Sequence, residues 1–356
     1  MLLLSVLLYS FTPSSLLLNS KMASLSNAFV LARKSFNGRL IGPYQSQGVT
    51  WMLNREINGG HVRGGFLCDE MGLGKTAQTA AMMLGNPVPR TLIIVPKSIV
   101  SQWVTELKRF APHLRVYAYD GPARELKSID SSDVVIAPYS VTTNRKTPEA
   151  GTPLHRYTWD RIILDEGHEI RNIKSRTHKS ICNFRSSIRW ILSGTPIFNT
   201  IKDFVALCAF LGIPQRQVQA YPDKIRASYL LRRTKEDVAR FNKRLELPPC
   251  DFQNVELDMY PEERAVYNTA FMESKAAIDN IFRTSENIGA HNMEILECLL
   301  RVRQVMTHPQ LYLTGTAAKT EIEADEFTAL TRKFEYLHET VLSHPGEKSL
   351  IFCQFI

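Results

Sequence analysis

Between Gly64 and about Pro214 the chain alternates short apolar runs with stretches whose apolar positions recur at helical spacing. The runs are GGFLC (64–68), TLIIV (91–95), RVYAY (115–119), DVVIA (133–137), RIILD (161–165) and RWILS (189–193). Helical spacing holds over 75–84, 98–110, 175–185 and 200–211. Strands that are apolar at successive rather than alternate positions are buried on both faces. The pattern therefore predicts an α/β lobe built on a parallel sheet with helices on both sides. Beyond Pro214 the pattern changes to longer, charged helical segments, including 261–282 and 291–306, set off by the Pro-containing LELPPC (245–250). This region reads as a helical extension. After HPGEK, the run SLIFC (349–353) reads as one more strand. A lone strand cannot bury its faces, so it is expected to open a further domain that is cut off at Ile356.

Composition narrows the class. The 356 residues leave room for two ordinary domains, and a hydrophobic share of 44% is that of a globular protein. The 43 Lys and Arg exceed the 35 Asp and Glu by eight, a surplus that suits a polyanionic partner without identifying one. The six cysteines stand far apart with no CxxC pair, and His178 near Cys182 has no second ligand pair, so no zinc site is expected. Several of these thiols sit in apolar runs, which points to a reducing compartment. The opening MLLLSVLLYSFTPSSLLLNS is apolar, but no Lys or Arg precedes it and Pro13 interrupts it, so it does not read as a secretory signal. A start at Met22 is the alternative. No stretch reaches the roughly 18 apolar residues of a membrane span.

The candidate chemistry lies at strand ends. GGFLC runs into Asp69-Glu70-Met71-Gly72-Leu73-Gly74-Lys75-Thr76 and then into a helix. Glycines let backbone wrap an anion closely, and a helix start offers unpaired N–H groups. Lys75 would then bridge the β- and γ-phosphates of ATP, and Thr76 would hold Mg²⁺. The strict phosphate-loop pattern wants Gly at 69, where this chain has Asp. Downstream, Ile162-Ile163-Leu164 leads into Asp165-Glu166-Gly167-His168. Adjacent acids at a strand end face opposite ways, so Asp165 is assigned to Mg²⁺ and Glu166 to polarising the attacking water. Alone, such a pair is usually solvated charge; the phosphate loop upstream favours the catalytic reading.

On these motifs the chain resembles the Swi/Snf family of superfamily-two helicase-like ATPases, from about Leu40 to Ile356. DEMGLGKT (69–76) is similar to that family's first motif, DEGH (165–168) to its second with Gly167 where Ala is usual, and SGTPIFN (193–199) to its third with Phe198 where Gln is usual. LIGPYQSQGVTWML (40–53) resembles the segment in which Gln45 would read adenine. LIIVPKSIVSQW (92–103) and VVIAPYSV (134–141) resemble the motifs that touch the DNA backbone, which implies contacts from Lys97, Ser98 and Tyr139. LLRRTKEDV (230–238), the LPPC segment, LRVRQVMTHPQLY (300–312) and EKSLIFCQF (347–355) follow in family order. The run RIILDEGHEIRN (161–172) is most similar to the repair-linked branch, although the cysteine spacing leaves no room for the zinc-binding RING often inserted there.

The resemblance implies a fold of two RecA-like lobes with ATP in the cleft between them. The expected division is a tail (1–36), an ATP-binding RecA-like lobe (37–216), a helical extension (217–346) and the first strand (347–356) of a truncated second lobe. Its implied partner is the phosphate backbone of duplex DNA, with a second RecA-like lobe or a chromatin or repair protein as further partners, no membrane, and a nuclear location or wherever the DNA lies. Arginine fingers would lie beyond Ile356. One such residue contributes about 10³–10⁵ in rate, so the isolated chain is expected to turn ATP over poorly.

Other residues allow two readings. Lys97 either grips a DNA phosphate or is a solvated lysine at a helix start, and the family position favours the first. His168 is expected to hydrogen-bond Ser193 or Thr195 and so couple the nucleotide to the DNA surface. Trp51, Trp103, Trp159 and Trp190 read as packing groups. Arg232 and Arg233 either link lobes or are surface charge. Against the leading reading of a DNA-dependent ATPase or translocase stand an RNA helicase, which the LLRRTKEDV and LRVRQVMTHPQLY segments disfavour, and a truncated fragment that binds nucleotide or DNA without turnover.

Overall fold

The computed structural model describes residues 13–122, 124–143, 151–194, 200–239, 250–285, 287–320 and 325–355. Helices α1 (Pro13–Ser35) and α2 (Pro43–Asn58) precede strand β1 (Arg63–Leu67), after which come α3 (Lys75–Gly85), β2 (Thr91–Val95) and α4 (Val100–Phe110). Strand β3 (Val116–Ala118), the short helix α5 (Leu126–Asp130), β4 (Val134–Pro138) and α6 (Tyr139–Thr142) follow. Then come β5 (Thr158–Asp165), α7 (Arg176–Cys182), β6 (Arg185–Leu192), α8 (Ile201–Phe210), α9 (Gln215–Ala220), α10 (Pro222–Tyr229), β7 (Leu230–Leu231) and α11 (Lys235–Ala239).

All seven strands run parallel in the order β3-β4-β2-β5-β6-β1-β7. The register sets Ile94, Leu164, Ile191 and Phe66 side by side on four neighbouring strands. These four belong to one core, packed against Phe204, Cys208 and Phe210 of α8. The residues between them, Ile93, Ile163, Trp190 and Leu67, belong to a second core on the opposite face with α2, α3 and α4. The uninterrupted apolar runs thus feed two cores, as expected for a parallel sheet covered twice. Gly64 lets β1 approach β6, because a Cβ there would lie 1.9 Å from the Arg189 carbonyl oxygen.

Three observations bear on the expected division of the chain. The N-terminal segment is not a bare tail: its end is helical, and Ala28, Ala32 and Phe36 are buried. Gly85 of α3 makes room for it, since a Cβ there would stand 2.7 Å from the Ala28 carbonyl oxygen. The sheet continues past the boundary expected at 216/217, because β7 pairs with β1. SLIFC (349–353) makes no strand pairing among the described residues, and Leu350, Ile351 and Phe352 are exposed. An apolar run becomes a strand only when another strand satisfies its N–H and C=O groups.

The second unit, Pro249–Ile356, holds α12 (Pro261–Thr284), α13 (Asn292–Thr307), α14 (Pro309–Thr320) and α15 (Arg332–Ser343). Its small core brings together Ala270, Val305 and Tyr312. No helix among the described residues is long and apolar enough to cross a membrane.

Candidate active site

Strand β1 ends in the loop that carries the predicted phosphate site, and α3 begins at Lys75. Gly72 and Gly74 take φ of 88° and 77°, which side chains disfavour, and Gly74 caps α3 in the left-handed conformation. A Cβ on Gly74 would also lie 2.4 Å from the Gln45 amide nitrogen. Thr76 follows in the first turn of α3, Met71 is exposed, and Leu73 is buried against Tyr44 and Val238. The Lys75 ammonium donates to the Asp69 carbonyl at 2.8 Å. Gln45 is buried: its amide accepts from Ile41 N–H at 2.6 Å and donates to the Leu73 carbonyl at 3.1 Å. It braces the loop through Leu73.

Asp69, the departure from the strict glycine pattern, is fully buried. Its carboxylate accepts from Arg233 Nε at 2.9 Å and from Gln78 Nε2 at 2.9 Å, and Arg233 Nη2 reaches it as well. Arg233 is therefore not a surface charge. Glu70 N–H donates to the Arg233 carbonyl at 2.9 Å, and Glu70 Oε2 accepts from Lys235 N–H at 2.7 Å.

The carboxylates stand at the end of β5, separated from β1 only by β6, so both lie on the carboxyl-end edge of one parallel sheet. Ligands bind there in open α/β sheets. Asp165 is buried, and burial raises its carboxyl above the usual range, helped by the neighbouring Glu166 charge. Its two oxygens accept from Trp103 Nε1 at 2.7 Å and Glu166 N–H at 3.0 Å. The Lys75 charge partly offsets that rise, so loop and carboxylate share one electrostatic field. Glu166 is the one non-glycine with positive φ among the described residues, at 49°. Such a conformation is tolerated where function needs the side chain turned out of its strand. His168 Nδ1 comes within 3.3 Å of Glu166 Oε2 but off the line of a hydrogen bond. Ser193 stands at the end of β6, its N–H on the Leu67 carbonyl at 3.2 Å, and Thr195 lies outside the described residues, as does Phe198.

Two of the predicted DNA contacts, Lys97 and Tyr139, line a surface groove of about 590 Å³ together with Ser140, Glu169 and Arg176 among others. Lys97 and Ser98 lie on an exposed turn, with the Lys97 ammonium 3.5 Å from Asp120. Tyr139 is the floor of the groove rather than a free arm. Its ring is buried and its hydroxyl donates to the Asp165 carbonyl at 2.8 Å, so that hydroxyl supports the carboxylate strand. Trp103, assigned to packing from sequence, does the same through its indole N–H. A signal for these links existed in the polar atoms of otherwise apolar stretches, but not their targets, which lie 26 and 62 residues away.

The sequence profile described as SNF2-related domain matches residues 44–224 and 215–311, more than half of the chain. This chain belongs to the SNF2-related domain family. It is 30% identical to the helicase-like transcription factor of Mus musculus over 293 residues, 76% of this chain and 29% of that protein. To DNA repair protein RAD5B of Arabidopsis thaliana it is 32% identical over 333 residues, 77% of this chain and 26% of that one. The chain therefore spans less than a third of either relative. The repair-linked branch expected from RIILDEGHEIRN agrees with these names. Among solved structures, the Sulfolobus solfataricus SWI2/SNF2 ATPase core in complex with dsDNA is 28% identical, with a TM-score of 0.49 over 86% of this chain and 65% of that chain.

Proposed function

We propose that this SNF2-related chain binds ATP with Mg²⁺ and hydrolyses it, as the motor lobe of a protein that moves along duplex DNA in repair or chromatin remodelling, in the nucleus. The observation that carries the reading is the meeting of a glycine-shaped loop, Lys75 and a buried carboxylate along one edge of a parallel sheet. The site fits the group: Asp165 is a buried acid whose charge no basic side chain among the described residues pairs, which suits a bound cation.

The backbone N–H groups of residues 72–76 and the Lys75 ammonium receive the phosphates, and Lys75 exchanges the Asp69 carbonyl for them. Thr76 and Asp165 would hold Mg²⁺, which when bound offsets charge on the phosphate oxygens. Glu166 orients the attacking water and takes its proton. Trp103 and Tyr139 keep Asp165 in place from beneath. Lys97 and Ser98 contact DNA phosphates, and Gln45, held against the loop at Leu73, reads adenine. His168, beside Glu166, carries the nucleotide state toward Ser193 and Thr195. A second RecA-like lobe, or a chromatin or repair protein, completes the DNA groove.

The test is fluorescent-nucleotide binding by Lys75→Ala. Loss of binding supports the assignment, and wild-type affinity in that variant overturns it.

A further inference from the structure

The segment running from β7 to Lys235 holds the phosphate loop on both sides of Asp69. The Leu231 carbonyl accepts from Cys68 N–H at 2.7 Å, the Arg233 carbonyl accepts from Glu70 N–H at 2.9 Å, and Lys235 N–H donates to Glu70 Oε2 at 2.7 Å. Between these backbone bonds sits Asp69, whose carboxylate the Arg233 guanidinium grips with two nitrogens. Arg233 reaches further, to the Tyr44 carbonyl and to Gln78 Oε1 at 2.9 Å. Gln78 closes the ring by donating to Asp69 at 2.9 Å. Helix α2 leaves space for it, since a Cβ on Gly48 would lie 1.9 Å from Gln78 Oε1 and 2.7 Å from Arg233 Nη2.

Asp69 thus has two duties. Its side chain is held by Arg233, and its carbonyl receives the Lys75 ammonium. We infer that Arg233 is a positioning residue for the phosphate site: by fixing Asp69 it sets the loop path and the resting place of Lys75, so that the segment 230–235 tunes nucleotide affinity without touching nucleotide. Bidentate grip on a carboxylate is a property of the guanidinium fork that an ammonium cannot reproduce. Asp69 is fully buried and Arg233 is 13% exposed, so removing either leaves the other as a buried charge with partial solvation. The inference rests on the nucleotide-site reading above.

The experiment measures the dissociation constant of a fluorescent ADP and, separately, the melting midpoint without nucleotide, for wild type, Arg233→Lys, Arg233→Met, Asp69→Asn and Lys75→Ala. Binding is read only at temperatures where circular dichroism shows each variant folded. Arg233→Met is expected to weaken binding by about tenfold or more, the loss that accompanies one charged hydrogen-bonded group, and Arg233→Lys to recover only part of it. Asp69→Asn, which keeps the shape of the acid and leaves unpaired only the Arg233 charge, which is 13% exposed, keeps the test open should Arg233→Met fail to fold, and is expected to lose affinity as well.

A purely structural Arg233 lowers the melting midpoint but leaves folded Arg233→Lys and Asp69→Asn within about twofold of wild type, and that result overturns the inference. Lys75→Ala separates the two failures. If it loses binding while the Arg233 and Asp69 variants do not, only the positioning role falls; if it too binds like wild type, the nucleotide-site reading falls and takes the inference with it.

Discussion

Replacing Glu56 with Gln probes how the lobe holds its catalytic strand. Glu56 lies on α2, 0% exposed, and Arg161 near the start of β5 is 1% exposed. Arg161 donates from Nε and Nη2 to the two carboxylate oxygens, each at 2.6 Å. The same carboxylate accepts from Trp190 Nε1 of β6 at 2.8 Å and Asn86 Nδ2 at 2.7 Å. The amide keeps the shape of the acid, but removes the charge and turns one acceptor toward donors. A guanidinium then stays buried without its counter-charge, which costs ~3–5 kcal/mol, a large share of the ~5–15 kcal/mol that holds a typical native protein. For a lobe of this size each kcal/mol moves the midpoint ~2–4 °C, so the expected fall is roughly 6–20 °C. Tryptophan fluorescence isolates the right transition, because Trp51, Trp103, Trp159 and Trp190 all belong to the first unit. Replacing both partners, as Glu56→Met with Arg161→Met, removes both charges and is expected to cost less than the sum of the single changes. A loss below ~1 kcal/mol for Glu56→Gln, or additive costs in the double variant, would refute the coupling.

Glu166→Gln is expected to bind nucleotide like wild type and to lose hydrolysis, because the amide cannot take the water's proton; equal turnover at saturating ATP would remove Glu166 from the chemistry. Lys97→Ala should lower affinity for duplex DNA without altering sequence preference and flatten the salt dependence by about one charge, read from titrations at two salt concentrations. Burial pushes the Cys68 and Cys208 thiols up to about 12, whereas Cys250 and Cys353 are exposed. Iodoacetamide at pH about 9 should therefore label Cys250 and Cys353 and spare the buried pair, as read by mass spectrometry. A thiol whose folded value is raised favours the folded state fully below the ordinary value of about 8.5, and that contribution fades as pH climbs toward about 12, so alkaline unfolding should begin in this window.

What the sequence alone determined was local. The runs at 64–68, 91–95, 133–137 and 161–165 became strands because β-branched and apolar residues in succession suit a sheet covered on both faces. The glycines at 72 and 74 announced a backbone that side chains disfavour, and the positive φ of both agrees. Tertiary structure decided what joins across distance. Strand order β5-β6-β1 brings Asp165 beside the loop, and a two-residue strand such as β7 carries too little pattern to be read before its neighbour pairs with it. SLIFC shows the converse, since its pattern is that of a strand and no partner among the described residues pairs with it. Asp69 was visible as an anomaly, an acid where a glycine was expected. Its partner Arg233 stands 164 residues on, and Trp103 meets Asp165 across 62. Periodicity says which face of an element is buried, but a hydrogen bond between side chains depends on which elements come to lie together, and that is settled only when the sheet assembles.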